Sequence, residues 1–145
     1  EETLKKVLTP LSFNKWRTVA DAYPLAMRST VRHGVKMVFG TDLLAPPDEA
    51  LELDDSAPKE FLELIKYMTA FEALKTATSN AGELIELTGP NNPYWQGPTG
   101  VIREGAYADL LLIDGNPLED ITIMTDPDNN FRIIMKDGVI YKNSL

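Results

Sequence analysis

Hydrophobic residues recur every three to four positions along much of the first 88 residues and gather in short β-type runs after residue 100. The clearest helical spacing runs from Phe13 to Arg32, where apolar side chains return at the period of an amphipathic helix. Ser12 is a good N-cap for this helix, and Gly34 follows its last turn. Pro24 falls inside the helix and predicts either a kink or a division into two helices.

Three further helices are predicted between residues 59 and 87. The first covers residues 59–68 and carries its apolar side chains on one face. Thr69 and Glu72 have the spacing of a capping box, which opens the second helix. The third is short and ends near Leu87.

A short apolar run over residues 35–40 follows the long helix and is bounded by glycine. This pattern is typical of a buried parallel strand in an αβ unit. An earlier short strand is predicted over residues 7–9, because Pro10 ends it. Residues 43–58 hold three prolines and five carboxylates, so they are predicted to form a long exposed loop.

The pattern changes at Gly89. Residues 89–99 are rich in turn-forming residues, and Lys136-Asp137-Gly138 is a strong hairpin signal. Four β-type runs are predicted over residues 101–102, 108–113, 131–135 and 139–142. We therefore divide the chain into an α/β part (1–88), a linker (89–99) and a β part (100–145).

Composition excludes several classes of protein and of site. The 145 residues carry a formal net charge of −8, which disfavours binding to nucleic-acid phosphates. No apolar run approaches the roughly 18 residues of a membrane-spanning helix. With no cysteine and one histidine, His33, the chain by itself cannot form a disulfide, a thiolate metal site or a multi-histidine metal site. Composition leaves the compartment open between cytoplasm and periplasm.

Three places in the chain are candidates for chemistry. His33 lies at a predicted helix C-terminus, where a structural role is favoured. The carboxylates of residues 43–58 resemble a weak cation site but lack the spacing of a calcium loop, so a solvated acidic loop is the favoured interpretation. Asp42 follows the predicted strand at its C-terminal end, where catalytic groups of parallel α/β proteins collect. From spacing alone, a catalytic aspartate and a loop-initiating aspartate are equally supported.

Several segments of the chain are similar, in the same order, to the metal-dependent amidohydrolase superfamily. Residues 34–42, which end in Gly40-Thr41-Asp42, resemble the eighth barrel strand of these enzymes. The resemblance continues over residues 73–84, 100–110, 114–118 and 134–141. Within the superfamily the chain most resembles the imidazolonepropionase-like enzymes, including Xaa-Pro dipeptidase-like members. Pro24 and residues 93–96 depart from the family pattern, and the latter form either a surface loop or a contact with another subunit.

The resemblance implies an α/β fold that is the C-terminal part of a metallo-dependent hydrolase TIM barrel. Residues 7–11 would be strand seven, residues 13–32 the helix after it and residues 35–40 strand eight. Residues 100–145 would form part of a small β-sandwich, completed by a missing N-terminal part. The chain begins with Glu1 rather than Met, and we expect it to be a piece of a longer protein or a processed product.

The resemblance also implies a role for Asp42 as both a metal ligand and a catalytic residue. In the family this carboxylate takes a proton from the metal-activated water and helps pass it to the leaving nitrogen. The full-length enzyme would hold one or two divalent ions, zinc by analogy with the family. The other ligands have no counterpart here, and one carboxylate cannot retain a catalytic ion. We therefore expect the chain alone to hold no metal and to be inactive.

The favoured prediction is the C-terminal fragment of an amidohydrolase that cleaves an amide C–N bond in a small molecule or dipeptide. Its expected partners are that substrate and the remainder of the enzyme or further subunits, as in a homo-oligomer, with neither nucleic acid nor membrane. The alternative is a non-catalytic, stand-alone interaction module with the same fold. It would act through the acidic loop or through exposed sheet edges.

Overall fold

The computed structural model describes residues 5–6, 8–41 and 57–145. The chain divides into two compact units, of which the first ends at Val35 and the second begins at Lys36. The first unit contains helix α1 (Pro10–Arg32). The second contains α2 (Glu60–Leu64), α3 (Ala70–Ala77), α4 (Ser79–Glu86), β1 (Leu110–Ile113), α5 (Pro127–Asn130), β2 (Phe131–Lys136) and β3 (Val139–Asn143). Short 3₁₀ helices span Ala57–Lys59, Gly89–Asn91 and Ile121–Thr125.

Helix α1 begins earlier than the sequence predicted. Its N-cap is Thr9, whose Oγ1 accepts a hydrogen bond from the Ser12 N–H at 3.2 Å. Pro10 occupies the start of the helix, where its missing N–H removes no intrahelical bond. The strand predicted over residues 7–11 is therefore wrong at Leu8–Leu11, because Thr9 and Pro10 begin a helix. Residue 7 lies outside the described residues.

Pro24 does not divide helix α1, which continues for 23 residues. A proline inside a helix removes one backbone hydrogen bond, and the remaining bonds are sufficient to maintain the helix. His33 is the C-cap, and its N–H donates to the Ser29 carbonyl at 3.0 Å. Near the other end, Phe13 is buried and its ring centroid lies 5.6 Å from that of Trp16.

The strand predicted over residues 35–40 is wrong, because the structure has no strand there. Among the described residues, this segment pairs with no β-strand. Met37, Val38 and Phe39 are half-buried, and Lys36 is exposed. A strand needs a neighbouring strand to satisfy its backbone groups, and an apolar run does not supply that neighbour.

The buried apolar side chains of the second unit come from elements far apart in sequence. Helix α2 packs against the 3₁₀ helix Ile121–Thr125. Phe61 and Leu64 of α2, and Ile121 and Met124 of the 3₁₀ helix, are each at most 7% exposed. The sequence pattern did not predict this 3₁₀ helix, because five residues are too few to show a period.

Helix α3 begins at the predicted capping box. The Thr69 Oγ1 accepts a hydrogen bond from the Glu72 N–H at 3.3 Å, and the Glu72 carboxylate accepts one from the Thr69 N–H at 2.8 Å. These two bonds satisfy backbone donors that the helix itself leaves free. The prediction of this helix start is confirmed.

Strands β1, β2 and β3 form one antiparallel sheet in chain order. Asp137 and Gly138 join β2 to β3 with φ angles of 49° and 76°. Positive φ at both central residues is what a two-residue hairpin turn of this kind requires. The predicted hairpin is confirmed, and within the described residues β1 and β3 are the two edges of the sheet.

Residues 89–107 connect α4 to the sheet without a strand of their own. Val101 and Ile102, predicted as β, form no strand, and Ile102 is 91% exposed. The backbone here is held by turns, since the Tyr107 N–H donates to the Pro98 carbonyl at 3.0 Å. The Tyr94 ring meets the Tyr107 ring edge-on at 5.3 Å, and Trp95 beside it is 78% exposed.

Two glycines bring helix α4 against the backbone of residues 99–100. A Cβ at Gly82 would lie 2.2 Å from the Thr99 carbonyl oxygen, and a Cβ at Gly100 would lie 2.2 Å from the Thr78 carbonyl oxygen. Gly100 also has a φ of 70°, which disfavours any other residue. Because both obstacles are backbone atoms, neither can rotate away.

Replacing Gly82 with alanine should therefore destabilise the second unit. We expect Gly82→Ala to lower the free energy of unfolding by about 1–3 kcal/mol, the usual cost of inserting a methyl group into packed structure. Gly40→Ala is the matched control, because a Cβ there meets nothing within 4 Å. Urea denaturation of both variants measures the difference, and equal stability would contradict the close contact.

Candidate functional site

The candidate site is approached through residues 36–41, which lead directly to Asp42. Asp42 and residues 43–56 of the acidic loop lie outside the described residues, so the structure does not place them. The contacts of residues 36–41 define how the chain enters this region. They all come from the second unit.

Helices α3 and α4 hold the segment through its backbone. The Phe39 N–H donates to the Thr76 carbonyl at 3.0 Å, at the end of α3. The Asn80 Nδ2, at the start of α4, donates to the Met37 carbonyl at 2.8 Å. These two bonds fix backbone groups two residues apart on the segment. Sequence reasoning missed both, because hydrogen bonds between distant residues leave no local pattern.

Side chains add two further contacts to the same segment. The Phe39 ring lies against the Phe61 ring of α2, with centroids 4.8 Å apart. The Lys36 ammonium forms an ion pair with the Glu83 carboxylate of α4. The hydrogen bond from Lys36, and then its charge, lower the pKa of Glu83 below the ordinary value. Both partners are more than half exposed, so this pair is screened by water.

Among the other carboxylates with altered pKa values, Glu72 and Asp120 take part in helix caps. Hydrogen bonds from the Thr69 backbone and hydroxyl lower the pKa of Glu72 in the capping box. Hydrogen bonds from Thr122 likewise lower the pKa of Asp120, which caps the 3₁₀ helix Ile121–Thr125. Burial, and then the charge of Glu63, raise the pKa of Glu60.

The described residues contain no metal centre of their own. Among residues 5–6, 8–41 and 57–145, no group of three or more His, Cys, Asp or Glu side chains is placed to hold an ion. His33 is exposed at the end of α1, and its Nδ1 donates to the Ser29 carbonyl at 2.8 Å. The described part of the chain therefore does not fit a divalent metal by itself.

An apolar cleft of about 690 Å³ lies between α4, residues 94–102 and the sheet. Its apolar lining includes Ile85, Val101, Leu111, Ile113 and Met135. At its edge the Lys136 ammonium lies 3.8 Å from the Asp109 carboxylate and 5.4 Å from the centre of the Tyr94 ring. None of residues 36–41 lines this cleft.

In the part of the chain that the structure describes, no helix is both long and apolar enough to span a bilayer.

Comparison with known proteins gives a family match over most of the chain. Residues 25–141 match the amidohydrolase family. Ochratoxinase from Aspergillus niger is 33% identical over 131 residues, which are 90% of this chain and 24% of that protein.

Solved structures agree with this match. An amidohydrolase crystal structure is similar with a TM-score of 0.77 and 31% identity, over 95% of this chain and 30% of the other. A prolidase complexed with N-methylphosphonate-L-proline gives a TM-score of 0.75 and 31% identity, over 94% and 30%. A. niger ochratoxinase gives a TM-score of 0.72 and 30% identity, over 94% and 28%. The chain spans less than a third of these relatives.

The ion pair between Lys36 and Glu83 predicts a pH-dependent contribution to stability. Because the folded pKa of Glu83 lies below its ordinary value of 4.5, the contribution is present above that pH and is lost as the pH falls through the lowered value. Lys36→Met should give a small decrease in Tm at pH 7 that disappears well below pH 4.5. Lys15→Met, at an exposed lysine of α1, is the control. A decrease that persists in acid would contradict the assignment.

Proposed function

Because the chain belongs to the amidohydrolase family, we propose that it is the C-terminal part of a metal-dependent hydrolase that cleaves a C–N bond in a small amide or dipeptide. The observation that carries this proposal is the family match over residues 25–141. The similarity to a prolidase supports a dipeptide-like substrate.

In the proposed enzyme, residues 36–41 take the place of the eighth barrel strand once neighbouring strands are present. The Phe39 N–H donates to the Thr76 carbonyl and the Asn80 Nδ2 donates to the Met37 carbonyl, so two backbone groups of this segment are already held. Residues 100–145 would form part of a β-sandwich completed by an N-terminal part. The proposed division remains 1–88 for the barrel part, 89–99 for the linker and 100–145 for the sandwich part.

Asp42 is the proposed catalytic residue and the contribution of this chain to the metal site. Its carboxylate would accept a proton from the attacking water as the water oxygen bonds to the amide carbon, and would pass that proton to the leaving nitrogen. The C–N bond then breaks, so that the nitrogen half leaves as an amine and the acyl half as a carboxylic acid. A carboxylate suits this task because it accepts a proton readily when held in place. The position of Asp42, directly after the held segment, supports the assignment.

A divalent metal, zinc by analogy with the family, would supply a water whose pKa is lowered to about 7. The described residues do not form a site for it. The remaining ligands would come from the part of the enzyme that this chain does not include. Metal identity and number depend on those ligands.

The role of Asp42 is tested by Asp42→Asn in the full-length protein supplied with zinc. We expect kcat for Xaa-Pro dipeptides or cyclic amides to fall by about 10²–10⁴-fold, the usual contribution of a general acid–base group. Asp128→Asn, at an exposed aspartate of α5, is the matched control and should retain full activity. A full rate in Asp42→Asn would remove the proposed role.

Several apolar side chains of the sheet are exposed to water in this chain. Leu111, Leu112, Val139 and Ile140 are each about half exposed, at 47%, 47%, 57% and 49%. Strands β1 and β3 are also unpaired on their outer sides within the described residues. Such surfaces favour association with further strands or with other copies. We therefore propose that the native partner is the rest of the enzyme, with further copies as the alternative.

Light scattering of the isolated chain tests this proposal. Without the rest of the enzyme, the chain should associate and give a mass above the 16.1 kDa of one copy. Adding the N-terminal part as a separate polypeptide should convert these aggregates into a defined complex. A compact monomer that unfolds cooperatively would contradict the proposal and favour a stand-alone interaction module.

A further inference from the structure

Helix α4 contacts the approach to Asp42 with its first turn. Asn80 is the second residue of this helix, and its side chain reaches the backbone of a segment more than forty residues earlier in the chain. Glu83, one turn later, pairs with Lys36 at the start of the same segment. The Asn80 bond is directed at backbone, whereas the Glu83 bond joins two exposed side chains.

We propose that Asn80 is a positioning residue that fixes the Met37 carbonyl and so sets the path of residues 37–41 into Asp42. This inference rests on the proposed function for its effect on catalysis. The hydrogen bond itself stands on the described geometry alone, at 2.8 Å between Nδ2 and the carbonyl oxygen. Asn80 does not touch the substrate in this proposal and acts only through the backbone of the segment.

The chemistry of this contact requires a donor on residue 80. A backbone carbonyl can only accept hydrogen bonds, so the amide of Asn80 must present its NH₂ group to Met37. Asn80 is partly buried, where an unsatisfied carbonyl costs more than in open water. Among the described residues, this is the one side-chain hydrogen bond to the backbone of residues 36–41.

The bond from Asn80 acts together with the neighbouring backbone bond. The Phe39 N–H donates to the Thr76 carbonyl, while the Met37 carbonyl accepts from Asn80. One donor and one acceptor of the segment are thus both satisfied at the junction of α3 and α4. Thr76 is only 2% exposed, and its Oγ1 donates to the Ala73 carbonyl at 2.7 Å. If the Asn80 bond were lost, the hydrogen bond from the Phe39 N–H to the Thr76 carbonyl would be the one remaining bond of the two.

Asn80→Asp separates the positioning role from the stability of α4. The two side chains have nearly the same size, but a carboxylate has no N–H and would repel the Met37 carbonyl. A negative charge in the first turn is favourable for a helix, so α4 itself should tolerate the change. Asn80→Ala is the second variant, because it removes the donor without adding charge and keeps helix propensity.

The experiment uses the full-length protein and two readouts. Hydrogen–deuterium exchange should show the Phe39 amide exchanging about tenfold faster in both variants, which corresponds to the loss of one hydrogen bond. With Xaa-Pro dipeptides and zinc, kcat should fall about tenfold while KM changes less than twofold. Asn91→Asp, an exposed asparagine in the 3₁₀ helix Gly89–Asn91, is the matched control and should change neither quantity.

Two results would overturn the positioning role. Unchanged exchange at Phe39 in both variants would show that Asn80 does not hold the segment. Faster exchange with an unchanged kcat would show that the bond is structural only. If the wild-type protein hydrolyses no amide, the proposed function fails, and the exchange measurement still decides whether Asn80 fixes residues 37–41.

Discussion

The second unit depends on the close contact between the backbone of α4 and the backbone of residues 99–100. Gly82 and Gly100 allow this contact because neither carries a side chain, and a Cβ at either would meet a carbonyl oxygen at 2.2 Å. The same helix holds residues 36–41 through Asn80. One eight-residue helix therefore joins the connection to the sheet with the approach to Asp42.

Local signals in the sequence predicted local structure well. The capping box of Thr69 and Glu72 and the hairpin turn at Asp137 and Gly138 depend on residues a few positions apart, and both are present. The strand predicted over residues 35–40 needs partners that the pattern does not contain, and no ladder forms in the described residues. Pro10 is compatible with the end of a strand and with the start of a helix, and the Thr9 cap decides for the helix.

The candidate site was predicted from resemblance more than from physical pattern. The family match over residues 25–141 supports the family assignment, and Asp42 itself lies outside the described residues. What the structure adds is the support around the approach to Asp42. Asn80 carries no signal of that role in the sequence, because its partner Met37 contributes only a backbone carbonyl, which every residue has.

The distribution of the two tryptophans gives each unit its own optical label. Trp16 lies beside Phe13 on α1 and is 37% exposed, whereas Trp95 lies in the second unit and is 78% exposed. An indole surrounded by water emits at longer wavelength than one packed against another ring. The two ends of the emission band therefore report on different units, and the order in which the units unfold can be observed in a single unlabelled sample.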